Sequence, residues 1–353
     1  MTDPHASDAV KGLDLEAVAA HLRAAAPALD FAGPLAARLI PGGLSNLTYE
    51  LSDAAGRAWV LRRPPLGHVL PTAHDMRREF RVISALHGTI PVAETFLLCE
   101  DPDVVGAPFY VMEKVEGTVL RTRELCAALP PEQARRTCEN LVDVLAALHA
   151  VDPEAVGLGD FGRPDGYLHR QLDRWDRQYA ASQSREVRGL FELAEGLRAA
   201  VPVTQRSTIL HGDYRLDNVM VDGERIAAVF DWEMSTLGDP LADLALLLTY
   251  WEDPGRPSKR ILVGASPEGG GLTNHPGYLT SRDIVERYAT ATGLIVDDLD
   301  WYIALNHYKL AVILEGIYYR HTQGLTYGEG FERAGGAVAA LVENGRAHLD
   351  RTR

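Results

Sequence analysis

Leu210-His211-Gly212-Asp213-Tyr214-Arg215-Leu216-Asp217-Asn218-Val219, taken with Val229-Phe230-Asp231-Trp232-Glu233, is the stretch on which the reading of this chain turns. Two short apolar runs, 219–221 and 226–230, are split by Asp222-Gly223, a dipeptide suited to a tight hairpin turn. Pairing of those runs brings together a carboxylate (Asp213), a carboxamide five residues later (Asn218) and a second carboxylate beyond the hairpin (Asp231). Mg²⁺ takes oxygen ligands, usually only one or two of them from protein and the rest from phosphates and water. Asn218 and Asp231 are therefore the expected metal ligands. Asp213 is left to accept a hydroxyl proton and aim that oxygen at a phosphorus atom. Turn-forming Asp and Asn residues around a hairpin would give the same letters without chemistry, so the flanking sequence has to decide.

Upstream, Leu15, Val18 and Leu22 recur at helical spacing, and the pattern changes at Pro41-Gly42-Gly43. Strand-like runs follow at 47–51 and 59–61, separated by the hairpin-loop residues Asp53-Ala54-Ala55-Gly56. Met76, Phe80, Ile83 and His87 mark one stripe of a helix over 75–87, and 96–99 and 108–112 read as two more strands. Beyond Glu116-Gly117 the chain reads as mostly helical, with Leu141, Val144, Leu145 and Leu148 on one stripe, Leu168, Leu172 and Trp175 on another, and 301–320 as a long third element. Residues 253–276 carry four prolines and Gly269-Gly270-Gly271 and read as a mobile surface loop. The organisation expected is a leader with one helix over 1–34, a small sheet domain over 35–115 and a helical domain over 116–353.

The 353 residues, 46% hydrophobic and 24% charged, suffice for a sizeable core, which excludes a disordered or fibrous chain. With 35 Lys and Arg against 49 Asp and Glu the net charge is −14, a poor general host for nucleic acid or acidic lipid, so no nucleic-acid partner is expected. Three cysteines, Cys99, Cys126 and Cys138, form no CxxC pair and fit a reducing cytoplasm. No 18-residue apolar run suggests membrane insertion, and the N-terminal residues lack the basic region of a signal peptide.

The chain resembles the aminoglycoside phosphotransferase and choline kinase branch of the protein-kinase-like fold. His211-Gly212-Asp213 followed by Asn218 is similar to that family's catalytic loop, with Gly where protein kinases carry Arg, and Phe230-Asp231-Trp232-Glu233 stands where they carry Asp-Phe-Gly. The resemblance spans about residues 35 to 320 and implies an α+β, two-lobed fold: a small antiparallel sheet lobe, a larger mainly helical lobe, and nucleotide between them. It implies Asp213 as catalytic base, Asn218 and Asp231 as magnesium ligands, and His211 as a support of the loop. Pro41 to Tyr49 matches the family's phosphate-covering loop, where Gly43 would let backbone approach phosphate and Ser45 and Asn46 would donate hydrogen bonds. The matching strand ends Trp59-Val60-Leu61-Arg62, with arginine in place of the usual lysine. Strand alternation sets Val60 and Arg62 on one face and Trp59, Leu61 and Arg63 on the other, so Arg62 is the expected α,β-phosphate contact and Arg63 the fallback. Glu79 matches the helix glutamate that would pair with Arg62, and residues 109–115 resemble the hinge, where backbone near Glu113 and Val115 would read adenine.

The resemblance thus implies an ATP- and Mg²⁺-dependent kinase acting on a hydroxyl of a small molecule. The runs 60–65, 73–80 and 314–320 look closest to kinase-like domains associated with acyl-CoA dehydrogenases, which suggests a hydroxylated acyl compound. The alternatives are an aminoglycoside O-phosphotransferase, which an acidic surface would suit, a nucleotide-binding pseudoenzyme, and a metal-dependent phosphatase. Acceptor, oligomeric state and preference for ATP over GTP stay open. Gly157-Leu158-Gly159-Asp160-Phe161-Gly162 satisfies GxGxxG, but no strand precedes it, and it reads as loop. Asp243 is expected to support the loop or cap a helix, and His307, Glu315, Tyr319 and Arg320 to line a pocket wall; Arg170, Arg174 and Arg177 share one helix face, where solvation is the default reading and lining the path of an acidic substrate the alternative.

Overall fold

The computed structural model describes residues 12–40, 46–66, 75–256, 271–325 and 334–352. The chain divides into two compact units at Glu116/Gly117.

The first unit is built on five antiparallel strands in the order β1-β2-β3-β5-β4: β1 (Ala36–Leu39), β2 (Leu47–Ser52), β3 (Ala58–Arg63), β4 (Thr95–Cys99) and β5 (Phe109–Glu113). Alternation along the strands gives the sheet two different faces. Tyr49, Leu51, Trp59, Leu61, Phe109 and Val111 point one way and bury themselves against Val18, Ala19 and Leu22 of α1 (Leu15–Ala25). The opposite face meets α2 (Met76–Leu86), where Phe80 stands edge-on to Tyr110 with ring centroids 6.1 Å apart. Asp75 caps α2 by accepting the Arg78 N–H at 3.1 Å, which is why the helix starts where the sequence places it. A short turn of helix, α3 (Pro102–Val105), joins β4 to β5. The described residues before Leu35 thus pack on the sheet. Without α1, six large apolar side chains of the sheet would face water.

The second unit is helical around two small two-stranded sheets. In order come α4 (Arg123–Ala127), α5 (Pro131–Ala150), α6 (Tyr167–Ser182), α7 (Leu190–Ala199), β6 (Thr208–Leu210), β7 (Val219–Asp222), β8 (Arg225–Val229), β9 (Thr236–Gly238), α8 (Leu241–Tyr250), α9 (Ser281–Thr292), α10 (Leu299–Thr322) and α11 (Ala334–Leu349). β6 pairs with β9 and β7 with β8, both antiparallel. α10 packs against α6, α7, α8 and α11, so it is buried nearly all round. Gly157–Gly162 is irregular chain between α5 and α6, with Leu158 and Phe161 buried. Most of the loop expected over 253–276, residues 257–270, lies outside the described residues; its far end is fastened, because buried Thr273 accepts from Glu252 N–H and donates to Glu252 C=O. Among the described residues no helix is long and apolar enough to cross a membrane.

Candidate active site

The β7–β8 hairpin and the loop before it assemble the site in the second unit. Phe230, just past β8, is gripped from both sides: its N–H donates to Asn218 C=O at 2.9 Å, and its C=O accepts from His211 Nε2 at 2.7 Å. These bonds set Asn218 and Asp231 across the open end of the hairpin. The His211 ring also accepts the Asp213 N–H at Nδ1, 3.2 Å, which assigns its proton to Nε2 and leaves neither nitrogen available to a substrate. His211 is therefore a brace.

Asp213 has two unlike carboxylate oxygens. Oδ2 accepts from Asn218 Nδ2 at 2.9 Å and lies 3.4 Å from Arg215 Nε, whereas Oδ1 makes no hydrogen bond among the described residues. The side chain keeps 27% of its surface exposed. Asn218 Nδ2 also donates to Asp213 C=O at 2.9 Å. Both partners of that nitrogen are pure acceptors, so the amide nitrogen must face them and Oδ1 must face away. Asp231 adopts the left-handed conformation, φ 68° and ψ 56°, at a non-glycine residue. Such a conformation costs about 1–2 kcal/mol and persists where the surroundings impose it.

Buried Asp243 and half-buried Arg215 hold the loop in place. Asp243 of α8 accepts the His211 N–H at 2.6 Å and the Gly212 N–H at 2.9 Å, and lies 3.4 Å from His149 Nε2 of α5. Burial pushes its carboxyl up, but the His149 hydrogen bond, the nearby histidines and the Gly212 N–H prevail and hold it below the usual range. Gly212 sits at φ +83°, and a Cβ there would stand 2.6 Å from Met234 C=O. Arg215 bridges Asp213 and Asp217 (Nη2 to Oδ2, 3.2 Å) with its guanidinium 4.8 Å over the Tyr250 ring. Burial works against its charge, yet these carboxylates raise its pKa, while burial pushes the Asp217 carboxyl up.

In the first unit, Arg62 Nε lies 3.2 Å from Glu79 Oε1, with the side chains only 12% and 2% exposed. Arg63 turns to the other face, where it donates to the carbonyls of Gly12 and Val105, the latter at 2.8 Å, and anchors the chain ahead of α1. It is not available as a phosphate contact. Asn46 is buried at the start of β2, and Gly43 and Ser45 lie outside the described residues. Glu113 N–H is taken by Glu94 C=O at 2.8 Å, but the N–H and C=O of Val115 make no hydrogen bond among the described residues.

The donor set fits magnesium in kind: an amide oxygen aimed away from Asp213 and a carboxylate across the hairpin end. Among the described residues no group of three or more His, Cys, Asp or Glu is placed to hold a metal. A cation at Asn218 and Asp231 would thus take its other ligands from phosphate and water.

Other expectations resolve differently. Arg170 donates to the carbonyls of Arg163 and Asp165, and Arg177 to its own helix at Asp173 C=O. Glu315 is fully buried, accepting from Ser184 Oγ at 2.6 Å and from Arg185, so it fastens the α6–α7 connection to α10 and lines no open wall. His307 stacks on His348, ring centroids 5.5 Å apart, at a cavity of about 650 Å³ among α8, α9, α10 and α11 that none of Asp213, Asn218 and Asp231 lines. The bridging role of Arg215 was missed, although its place between Asp213 and Asp217 was a usable signal.

A family model described as "Phosphotransferase enzyme family" matches residues 36–275. "Acyl-CoA dehydrogenase family member 11" of Gallus gallus is 35% identical over 321 residues, covering 89% of this chain, and "Acyl-CoA dehydrogenase family member 10" of Mus musculus is 34% identical over 316 residues, covering 88%. The chain spans 40% and 29% of the length of those two relatives. A solved structure of a candidate aminoglycoside phosphotransferase from Ralstonia eutropha is 32% identical, with a TM-score of 0.79 over 96% of this chain and 98% of that one.

Proposed function

The chain belongs to the phosphotransferase enzyme family, and from that premise we propose that it transfers the γ-phosphoryl group of ATP to a hydroxyl of a small molecule, with Mg²⁺. One observation carries the reading: Asp213 is fastened at one carboxylate oxygen and open at the other, beside two oxygen donors set across a hairpin end. Asn218 Oδ1 and the Asp231 carboxylate would hold the cation, which would supply charge neutralisation at the phosphate oxygens. Asp213 Oδ1 takes the proton of the acceptor hydroxyl. The hydroxyl oxygen bonds to the γ-phosphorus as the bond from phosphorus to the β–γ bridging oxygen breaks, and ADP leaves with that electron pair. Arg215 keeps Asp213 from swinging away.

In the first unit the Arg62–Glu79 pair presents a fixed positive charge for the α- and β-phosphates, a planar fork in place of an ammonium. Asn46, with Ser45 and Gly43 before it, would close over the phosphates. The backbone near Glu113 and Val115 would read the adenine edge. A hydroxylated acyl compound is the acceptor favoured by the names of the curated relatives, and an aminoglycoside is the alternative favoured by the Ralstonia eutropha protein and the net charge of −14. Cys99, Cys126 and Cys138, all buried free thiols, support a reducing compartment such as the cytoplasm.

The test is ADP release across a panel of hydroxy compounds. Asp213→Asn should lower kcat by about 10²–10⁴-fold, the usual worth of a positioned base. A variant within about threefold of wild type removes the role given to Asp213, and tight ATP binding without turnover for any acceptor favours the pseudoenzyme.

A further inference from the structure

Lys309 lies half-buried on α10, between the buried residues Tyr308 and Leu310. Its ammonium stands 5.8 Å from the centroid of the buried Trp175 ring of α6. Among the described residues it has no ion-pair partner and no hydrogen bond. Arg174 flanks the same ring, its guanidinium carbon 5.0 Å from the centroid, and it too has neither. The other cations of this region are spoken for: Arg170 and Arg177 by backbone carbonyls, Arg198 by Asp173 and Asp176, Arg215 by Asp213 and Asp217. Burial pushes the Lys309 ammonium down, while the carboxylates of Asp213 and Asp243 act on it from the other direction, which puts it in the electrostatic surroundings of the loop.

A half-buried ammonium without an ion-pair partner carries a desolvation cost in a folded chain, and that cost is met when a ligand brings an anion to it. We propose that Lys309 and Arg174, flanking Trp175, receive a carboxylate or phosphate of the acceptor whose hydroxyl is presented to Asp213, so that the acceptor is an anionic hydroxy compound. The inference rests on the phosphotransfer reading above for the role of Asp213. Specificity follows from sign. An acceptor bearing several ammonium groups meets like charge at both positions, and a neutral one leaves Lys309 unpaired. Lys309 is here a positioning residue: it sets where the hydroxyl lies and takes no part in bond making.

The experiment compares 3-hydroxybutyrate with its methyl ester, glycerol 3-phosphate with glycerol, and kanamycin as the polycation, each by ADP release and by calorimetric binding without nucleotide. The wild type should prefer the anionic member of at least one pair by about tenfold or more in kcat/KM, chiefly through KM. Lys309→Met should collapse that ratio towards one, and Lys309→Arg should restore a large part of it. Arg174→Gln, at an exposed position where folding is not at stake, should lower the ratio in the same direction. The carboxylate and phosphate pairs tell the two anion types apart. An anionic preference unchanged in Lys309→Met and Arg174→Gln, or a preference for kanamycin, overturns the proposal. Anion-selective binding that Lys309→Met abolishes, with no ADP released from any acceptor, keeps the anion site and sinks the phosphotransfer reading; ADP release without anionic preference does the reverse.

Discussion

At Asp231 two demands on one residue meet. As a proposed metal ligand its carboxylate has to stay at the hairpin end, yet its backbone sits at φ 68°, where glycine rests without strain and aspartate does not. Asp231→Gly should therefore stabilise the fold by about 1 kcal/mol while abolishing magnesium-dependent nucleotide binding. Urea unfolding and a nucleotide titration with and without Mg²⁺ measure the two effects; a destabilised variant, or one that still binds with Mg²⁺, contradicts the assignment. The cluster of His211, Asp213, Asn218 and Asp231 was legible because it is local, all of it lying within one hairpin of sequence. Lys309 was not. It sits 96 positions from Asp213 on a helix buried nearly all round, so no polar stripe marks it.

At Gly212 the loop between β6 and β7 has little freedom, because the Trp232–Met234 turn lies against it. Gly212 passes so close to Met234 C=O that any side chain would push the 3₁₀ turn Trp232–Met234, and Asp231 with it, out of place. Gly212→Ala should cost about 2–4 kcal/mol from the left-handed backbone and the clash together. Activity should fall even at temperatures where the variant is fully folded, which circular dichroism and ADP release would show together. A variant as stable and active as wild type would mean the loop is softer than drawn. Longer elements were readable where one face is buried. Helix 75–87 and the strands at 47–51 and 108–112 fall within a residue or two of α2, β2 and β5. β1 escaped because it is a mostly exposed strand of four residues without alternation, and β6 and β9, three residues each, are shorter than any period can reveal.

Over the whole molecule, two units with separate cores invite separate responses to acid. In the first, Asp53 ties the β2–β3 hairpin to the chain ahead of β1: it accepts from the N–H groups of Ala32, Ala55 and Arg57 and from the Arg57 guanidinium. The Ala32 N–H is the largest cause of a carboxyl pulled down to about 2. An unfolded aspartate titrates near 3.9, so between these values the unfolded chain binds the extra proton. The contribution is whole above about pH 4 and is lost as pH falls towards 2. Denaturation followed by emission of Trp59, in a variant with the other tryptophans replaced by phenylalanine, should show less loss of stability between pH 5 and 2.5 for Asp53→Asn than for its parent. Equal losses would remove Asp53 from the account.

The neighbours Arg62 and Arg63 send their guanidiniums to opposite sides of β3, one to Glu79 and the other to the carbonyls of Gly12 and Val105. A slip of β3 by one residue against β2 and β5 would put one of them in the other's place, and it would also turn Trp59 and Leu61 outward. Slipped one way, Leu61 replaces Arg62 and strands the Glu79 carboxylate; slipped the other way, Pro64 replaces Arg63 and strands the carbonyls of Gly12 and Val105. The twin arginines thus act as a proofreader of strand register, rejecting during folding the one error that a stretch of similar side chains most readily permits.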